Sequence, residues 1–201
     1  MKTIKRLLIN SLFFVAAMAL TAVSGVAQKQ EFTGTVIGVG GQLGGVSRPF
    51  TLTLDSLTPA RDVQGDVSIL AEGGQDALLR KLDGKRIGYF SLGNGLGRDV
   101  NFAWETPTAN GGRRITAVFE RWMNLYELRY GTRSEDYPFS YVEITVDRNG
   151  KGEGTFIPAA KIYFDKKNGN QVDVENFGIY PARLAGVQLR QNSSAQNKRR
   201  S

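Results

Sequence analysis

Apolar and polar residues alternate along most of this chain with a period of two, as in strands that bury one face. Phe32 to Val39 is β-rich and leads into a flexible loop, Gly40-Gly41-Gln42-Leu43-Gly44-Gly45. Phe50, Leu52 and Leu54 then alternate with Thr51, Thr53 and Asp55. Ile87 to Leu92 and Val100 to Trp104 follow, joined by the turn Gly93-Asn94-Gly95-Leu96-Gly97. Val100, Phe102 and Trp104 are expected to share one face. After the hairpin signal Asn110-Gly111-Gly112, so are Ile115, Ala117 and Phe119. From Tyr137 onward the alternation is stronger. Val142, Ile144 and Val146 oppose Tyr141, Glu143 and Thr145, and Asp147-Arg148-Asn149-Gly150 is turn chemistry. Phe156, Pro158, Ala160, Ile162 and Phe164 alternate again, Asn168-Gly169 closes a hairpin into Val172 and Val174, and a last strand runs from Ala182 to Leu189.

One stretch between the second and third strands changes period. Val63, Val67 and Leu70 fall at helical spacing, Gly73-Gly74 interrupts, and Gln75 to Leu82 carries Leu78, Leu79 and Leu82 before Asp83-Gly84 ends the run. The expected fold is therefore mainly β: an antiparallel barrel or sandwich of about 8–10 strands with a short helical insertion. Full closure would remove exposed edges, and near-continuous hairpin chemistry favours an up-and-down order.

The first residues have a different pattern. Lys2, Lys5 and Arg6 precede an apolar run from Leu7 to Leu20 and the small residues Val23-Ser24-Gly25-Val26-Ala27. This is the three-part layout of a secretory signal peptide, residues 1–27, with cleavage expected after Ala27. Residues 28–189 then form a single β-rich domain, and residues 190–201 a polar, basic, disordered tail. No later segment is long and apolar enough to span a membrane. The expected location is outside the cytoplasm, in a periplasm or in the medium.

At 201 residues the chain has room for one domain. Its formal net charge of +7 sits in the leader and in Arg190, Lys198, Arg199 and Arg200, so the body is formally neutral and nucleic acid is not an expected partner. The chain has no cysteine and no histidine. That excludes disulfides, thiolate and Ser-His-Asp catalysis, and zinc or haem sites built on those ligands. What remains for acid–base work is carboxylate, lysine and tyrosine. No cofactor and no metal is expected.

Four segments carry a resemblance: Gly73-Gly74-Gln75-Asp76-Ala77-Leu78-Leu79, Gly97-Arg98-Asp99-Val100-Asn101-Phe102-Ala103, Tyr130 to Phe139, and Asp147 to Thr155. Together the set resembles a family of exported bacterial proteins of unknown function from environmental lineages such as acidobacteria. The resemblance implies bacterial export and a compact body, and brings no catalytic residue or cofactor.

Among the polar clusters, Arg129 to Asp136 is the densest. Arg129, Tyr130, Arg133 and Tyr137 form a candidate binding segment, since arginine recognises carboxylate or phosphate bidentately and tyrosine adds amphipathic contact area. The competing reading is a loop cross-linked by its own ion pairs. Asp147 to Glu153 has oxygens at alternate positions, but Lys151 stands where a calcium loop needs a ligand, so a hairpin turn is expected. The glycine runs at Gly38 and Gly93 lack the strand–glycine–helix context of a phosphate loop. Trp104 joins the candidate site residues, with Phe102, Phe119 and Phe156, as lining for a cavity.

The leading expectation is a non-catalytic exported module that binds a small amphipathic ligand. The alternative is a structural or protein-interaction module of the envelope with a filled core. A carboxylate-dependent hydrolase comes third. A continuous apolar cavity of several hundred Å³, as ligand sites have, separates the first from the second.

Overall fold

The computed structural model describes residues 29–38, 45, 47–121, 133–165, 171–176 and 181–190. The strands are β1 (Gln30–Ile37), β2 (Ser47–Leu54), β3 (Gly88–Leu92), β4 (Arg98–Val100) and β5 (Phe102–Pro107), then β6 (Arg113–Glu120), β7 (Phe139–Val146), β8 (Lys151–Asp165), β9 (Gln171–Asn176) and β10 (Ala182–Arg190). One helix, α1 (Ala60–Leu82), lies between β2 and β3. The protein is mainly β, a ten-stranded antiparallel sheet with the helical insertion where the sequence put it. Arg190 ends β10 rather than opening a tail, and its guanidinium meets Glu31 of β1 at 3.5 Å.

The strand order is β4-β3-β2-β1-β10-β8-β7-β6-β5, with β9 added to β8. Neighbours in this order are mostly neighbours in the chain, as hairpin connections dictate. The sheet is not closed into a barrel: its ladder ends at β4 on one side and β5 on the other. These two edge strands are nevertheless consecutive, joined by the single residue Asn101. The Asn101 amide donates to the Val118 carbonyl at 3.3 Å, its Nδ2 donates to the Lys85 carbonyl at 2.7 Å, and its Oδ1 accepts the Glu120 amide at 3.1 Å. One side chain thus spans the seam.

Asn101 also corrects the expected face of β5. Val100 is in the interior cluster, but Phe102 and Trp104 are not; Ala103 takes the inward position instead. The alternation slips by one residue where β4 gives way to β5. A second slip lies in β8. Phe156 faces the interior, whereas Ala160 and Ile162, of the same parity, belong to the outer cluster. The register between β7 and β8 shifts between Phe139 and Tyr141, opposite Ala160 and Ile157. Pro158 lies between them, without an amide to give the ladder, and its carbonyl accepts the Ser140 hydroxyl at 3.0 Å. A third slip, in β10 between Leu184 and Val187, coincides with Gly186 at φ 60°.

Two apolar clusters follow from these phases. The first lies on the concave side and draws on every strand of the curled sheet except β9. It contains Phe32, Phe50, Leu52, Phe90, Phe119, Ile144, Phe156 and Leu184, each with 4% or less of its surface exposed. The Phe90 ring is 6.0 Å from Phe50, 5.4 Å from Phe119 and 5.0 Å from Phe156, centroid to centroid. The concave side is therefore packed with side chains. Phe102, Trp104, Phe119 and Phe156 do not line one cavity, because the first two lie on the opposite face from the last two.

The second cluster lies between α1 and the outer face of β5 to β8. Leu70, Leu78 and Leu82 of the helix meet Phe102, Val118, Phe139, Ile157 and Ile162. The helix reads as two pieces: Gly74, at φ 70° and ψ −172°, kinks it where Gly73-Gly74 was expected to break it. Among the described residues no helix is long and apolar enough to cross a membrane.

The hairpin readings hold where the turns are described. At Asp147–Gly150, Asp147 Oδ1 accepts the amides of Asn149 and Lys151 at 2.8 and 2.9 Å. Those amides, Lys151's first, hold the carboxyl below its ordinary pKa. The oxygen a calcium loop would use is thus engaged by the turn itself. The glycine run from Gly93 to Gly97 joins two strands, and the Asn168-Gly169 turn lies outside the described residues.

Candidate functional site

Two concavities lie along α1, one against Val63, Val67, Leu70 and Leu78 and the other against Leu79 and Leu82. The first is a narrow apolar crevice of about 50 Å³ between the helix and the outer sheet face. Val63 and Leu70 form its helix wall, Phe102 and Trp104 of β5 its floor, and Val174 of β9 a flank. Helical spacing brings Val63, Val67 and Leu70 to one side, and the slip at Asn101 turns Phe102 and Trp104 outward to meet them. The Phe102 and Trp104 rings are tilted against each other at 5.0 Å.

Two residues with polar side chains, Asp66 and Tyr141, are among those that line this crevice. Asp66 is buried, with 3% of its surface exposed, and its Oδ2 makes no hydrogen bond. The nearest cation on that oxygen is Lys85 Nζ, 3.7 Å away. Tyr141 of β7 donates to Glu143 Oε2 at 2.9 Å, and Arg114 Nε approaches Glu143 Oε1 at 3.7 Å. Burial, then the Glu143 charge, pushes the Tyr141 hydroxyl above the ordinary tyrosine range. Tyr141 is therefore a neutral donor at physiological pH.

The second concavity is a polar cleft of about 310 Å³ at the seam, where the ladder is open. Leu82, Lys85, Arg98, Asp99, Asn101 and Glu120 line it. Arg98 is held in place: its Nε donates to the Glu120 carbonyl at 3.1 Å and its Nη2 to the Arg121 carbonyl at 3.3 Å. Asp99 meets Arg86 Nε at 3.3 Å. Lys85 lines the cleft, and its ammonium lies 3.7 Å from Oδ2 of Asp66, which lines the crevice.

Of the residues expected to form a site, Trp104 lines the crevice, half-buried. Tyr137 is buried and works as a strut. Its hydroxyl donates to Glu175 Oε1 of β9 at 2.5 Å, and its carbonyl accepts Arg121 Nε at 2.6 Å. It is tied to the neighbourhood of Trp104 through β9, whose Val174 lines the crevice and whose Glu175 meets Tyr137. Arg133 opens a 3-10 turn, Arg133–Asp136, and its side chain lies outside the described residues, as do Arg129 and Tyr130. The carboxylate of Glu105 pairs with Arg113 at 3.0 Å across β5 and β6. Among the described residues no group of three or more acids could hold a metal ion.

Sequence reasoning passed over Asp66, Lys85 and Tyr141. Asp66 carried a usable signal: it lies three residues after Val63 and four before Leu70, which puts a charge on the apolar stripe of the helix. Charged residues seldom occupy such positions without a partner. Lys85 and Tyr141 gave no comparable mark, since both lie in segments that read as turn and half-buried strand. Compared with family models, curated proteins and solved structures, the chain matches none, and its functional reading rests on this geometry.

Proposed function

We propose that this is an exported binding protein for a small amphipathic ligand, and that the ligand sits between α1 and the outer face of the sheet rather than inside its curl. One observation carries the reading: Lys85 lines a polar cleft of about 310 Å³, and its ammonium lies 3.7 Å from Asp66, which lines an apolar crevice. A ligand with a polar part and a short apolar part matches that pairing. The cleft alone is at the lower end of the volumes typical of ligand sites. The kink at Gly74 adds a means of widening the crevice, because Val63 to Leu70 lie on one side of it and Leu78 on the other. The signal-peptide pattern of residues 1–27 supports export.

The packed concave interior and the small volume of the crevice favour a second reading, a protein-interaction module with a filled core. Native mass spectrometry separates the two. Protein purified gently from its host's exported fraction is expected to carry a discrete excess mass that denaturation removes. A bare polypeptide mass, with the protein held instead in a complex with another chain, contradicts the ligand reading.

A further inference from the structure

We infer that the helix–sheet crevice recognises the ammonium head of a small amphipathic amine, with Asp66 as its counter-ion. This rests on the ligand reading above and names the chemistry of the same site. A buried carboxylate oxygen without a hydrogen bond is costly, because a low-dielectric wall replaces the water it gave up. Asp66 Oδ2 is such an atom, and Asp66 lines a crevice whose other walls are almost wholly apolar. Lys85 stays 3.7 Å away, close enough to offset the charge and too far for a hydrogen bond. Its side chain keeps 38% of its surface exposed, so it can withdraw into the cleft at little cost in contacts. An incoming primary ammonium would take its place with a charge-assisted hydrogen bond. Trp104, Phe102 and Tyr141 line the same crevice and present the aromatic surfaces that favour a cation over a neutral group. Tyr141's hydroxyl is committed to Glu143, so it offers no competing proton to Asp66. The volume of about 50 Å³ fits the head and first carbons of an unbranched chain, not a bulky quaternary group.

The chain has two tryptophans, so Trp122→Phe leaves Trp104 as the reporter. That protein is titrated separately with n-hexylammonium, 1-hexanol and hexanoate, and Trp104 fluorescence is read. Saturable binding of hexylammonium is expected, about tenfold tighter than either of the others. Asp66→Asn should abolish the preference. Lys85→Met, which removes the resident cation, should tighten hexylammonium binding. Circular dichroism confirms that both variants fold, and the three-ligand comparison on the parent protein stands without them. Equal binding of hexanol and hexylammonium, or strongest binding of hexanoate, overturns the amine inference and leaves a ligand site in place. Failure of all three to bind overturns both readings.

Discussion

Phe90→Ala is expected to lower stability by about 3–5 kcal/mol, the usual cost of deleting a buried phenyl ring. Among the described residues, Phe90 is the one ring that contacts three others, Phe50, Phe119 and Phe156, on strands β2, β6 and β8. Its loss therefore opens a void at the point where opposite walls of the curled sheet meet. Few other side chains are placed to fill it, because the neighbouring residues are already buried to 4% exposure or less. For a domain of this size the midpoint of thermal unfolding should fall by roughly 10 °C. Leu96→Ala, at a residue 91% exposed in the β3–β4 turn, should change it by almost nothing. Thermal melts of the two variants beside the parent settle the matter. Equal, small shifts would mean that the concave side is not packed as described.

The second large effect comes from adding atoms rather than removing them. Gly154→Ala should destabilise the protein by more than about 2 kcal/mol, and Gly154→Val by more still. A Cβ at position 154 would stand 2.1 Å from the Glu143 carbonyl oxygen and 3.0 Å from the Ile144 Cα, both backbone atoms of β7. At Gly152 the corresponding approach, to the Thr145 carbonyl oxygen, is closer again. Backbone does not move aside as a side chain does, so β7 and β8 would have to separate. Gly154 has an ordinary backbone conformation, and there Gly→Ala normally stabilises by restricting the unfolded chain. The expected sign is thus opposite to the default. Gly65→Ala, in the helix with nothing within 4 Å of the new Cβ, provides the contrast and should stabilise by up to about 1 kcal/mol. Urea denaturation of the two variants, read by their midpoints at equal slope, compares them directly. Stabilisation by Gly154→Ala would show that the strands are not this close.

These two sites also show why part of the fold was readable and part was not. Alternation at Phe50-Leu52-Leu54 and Val142-Ile144-Val146 gave both the strands and the buried faces, because half-buried strands have a fixed period. Gly73-Gly74 gave the helix kink, because a left-handed residue interrupts α-helix wherever it falls. The faces of β5 and of the second half of β8 were not readable. Parity predicts a face only while the ladder is unbroken, and Asn101 and the bulge near Pro158 each reset it. Barrel closure was unreadable for the same reason. The edge strands β4 and β5 are chain neighbours, yet a one-residue link places them on either side of the seam instead of pairing them.

The candidate site was legible only in fragments. Trp104 was singled out as an aromatic residue able to line a cavity, and it lines one, but under the helix rather than within the sheet. Tyr137 was singled out for its dense polar neighbourhood, and its hydroxyl turned out to hold β9. Asp66 went unnoticed because a single acid in an amphipathic helix reads as its solvated face. Only the phase of Val63 and Leu70 places it on the buried side.

Methyl-resolved NMR of protein labelled at Ile, Leu and Val shows where a ligand sits, with n-hexylammonium, 1-hexanol and hexanoate added in separate titrations. At least one probe is expected to move the methyls of Val63, Leu70, Leu78, Val118 and Ile162, which lie between helix and sheet, while those of Leu52, Ile144 and Leu184 on the concave side stay still. Movement of Leu52, Ile144 and Leu184, or no movement of the helix–sheet methyls with any probe, would contradict a ligand site between helix and sheet.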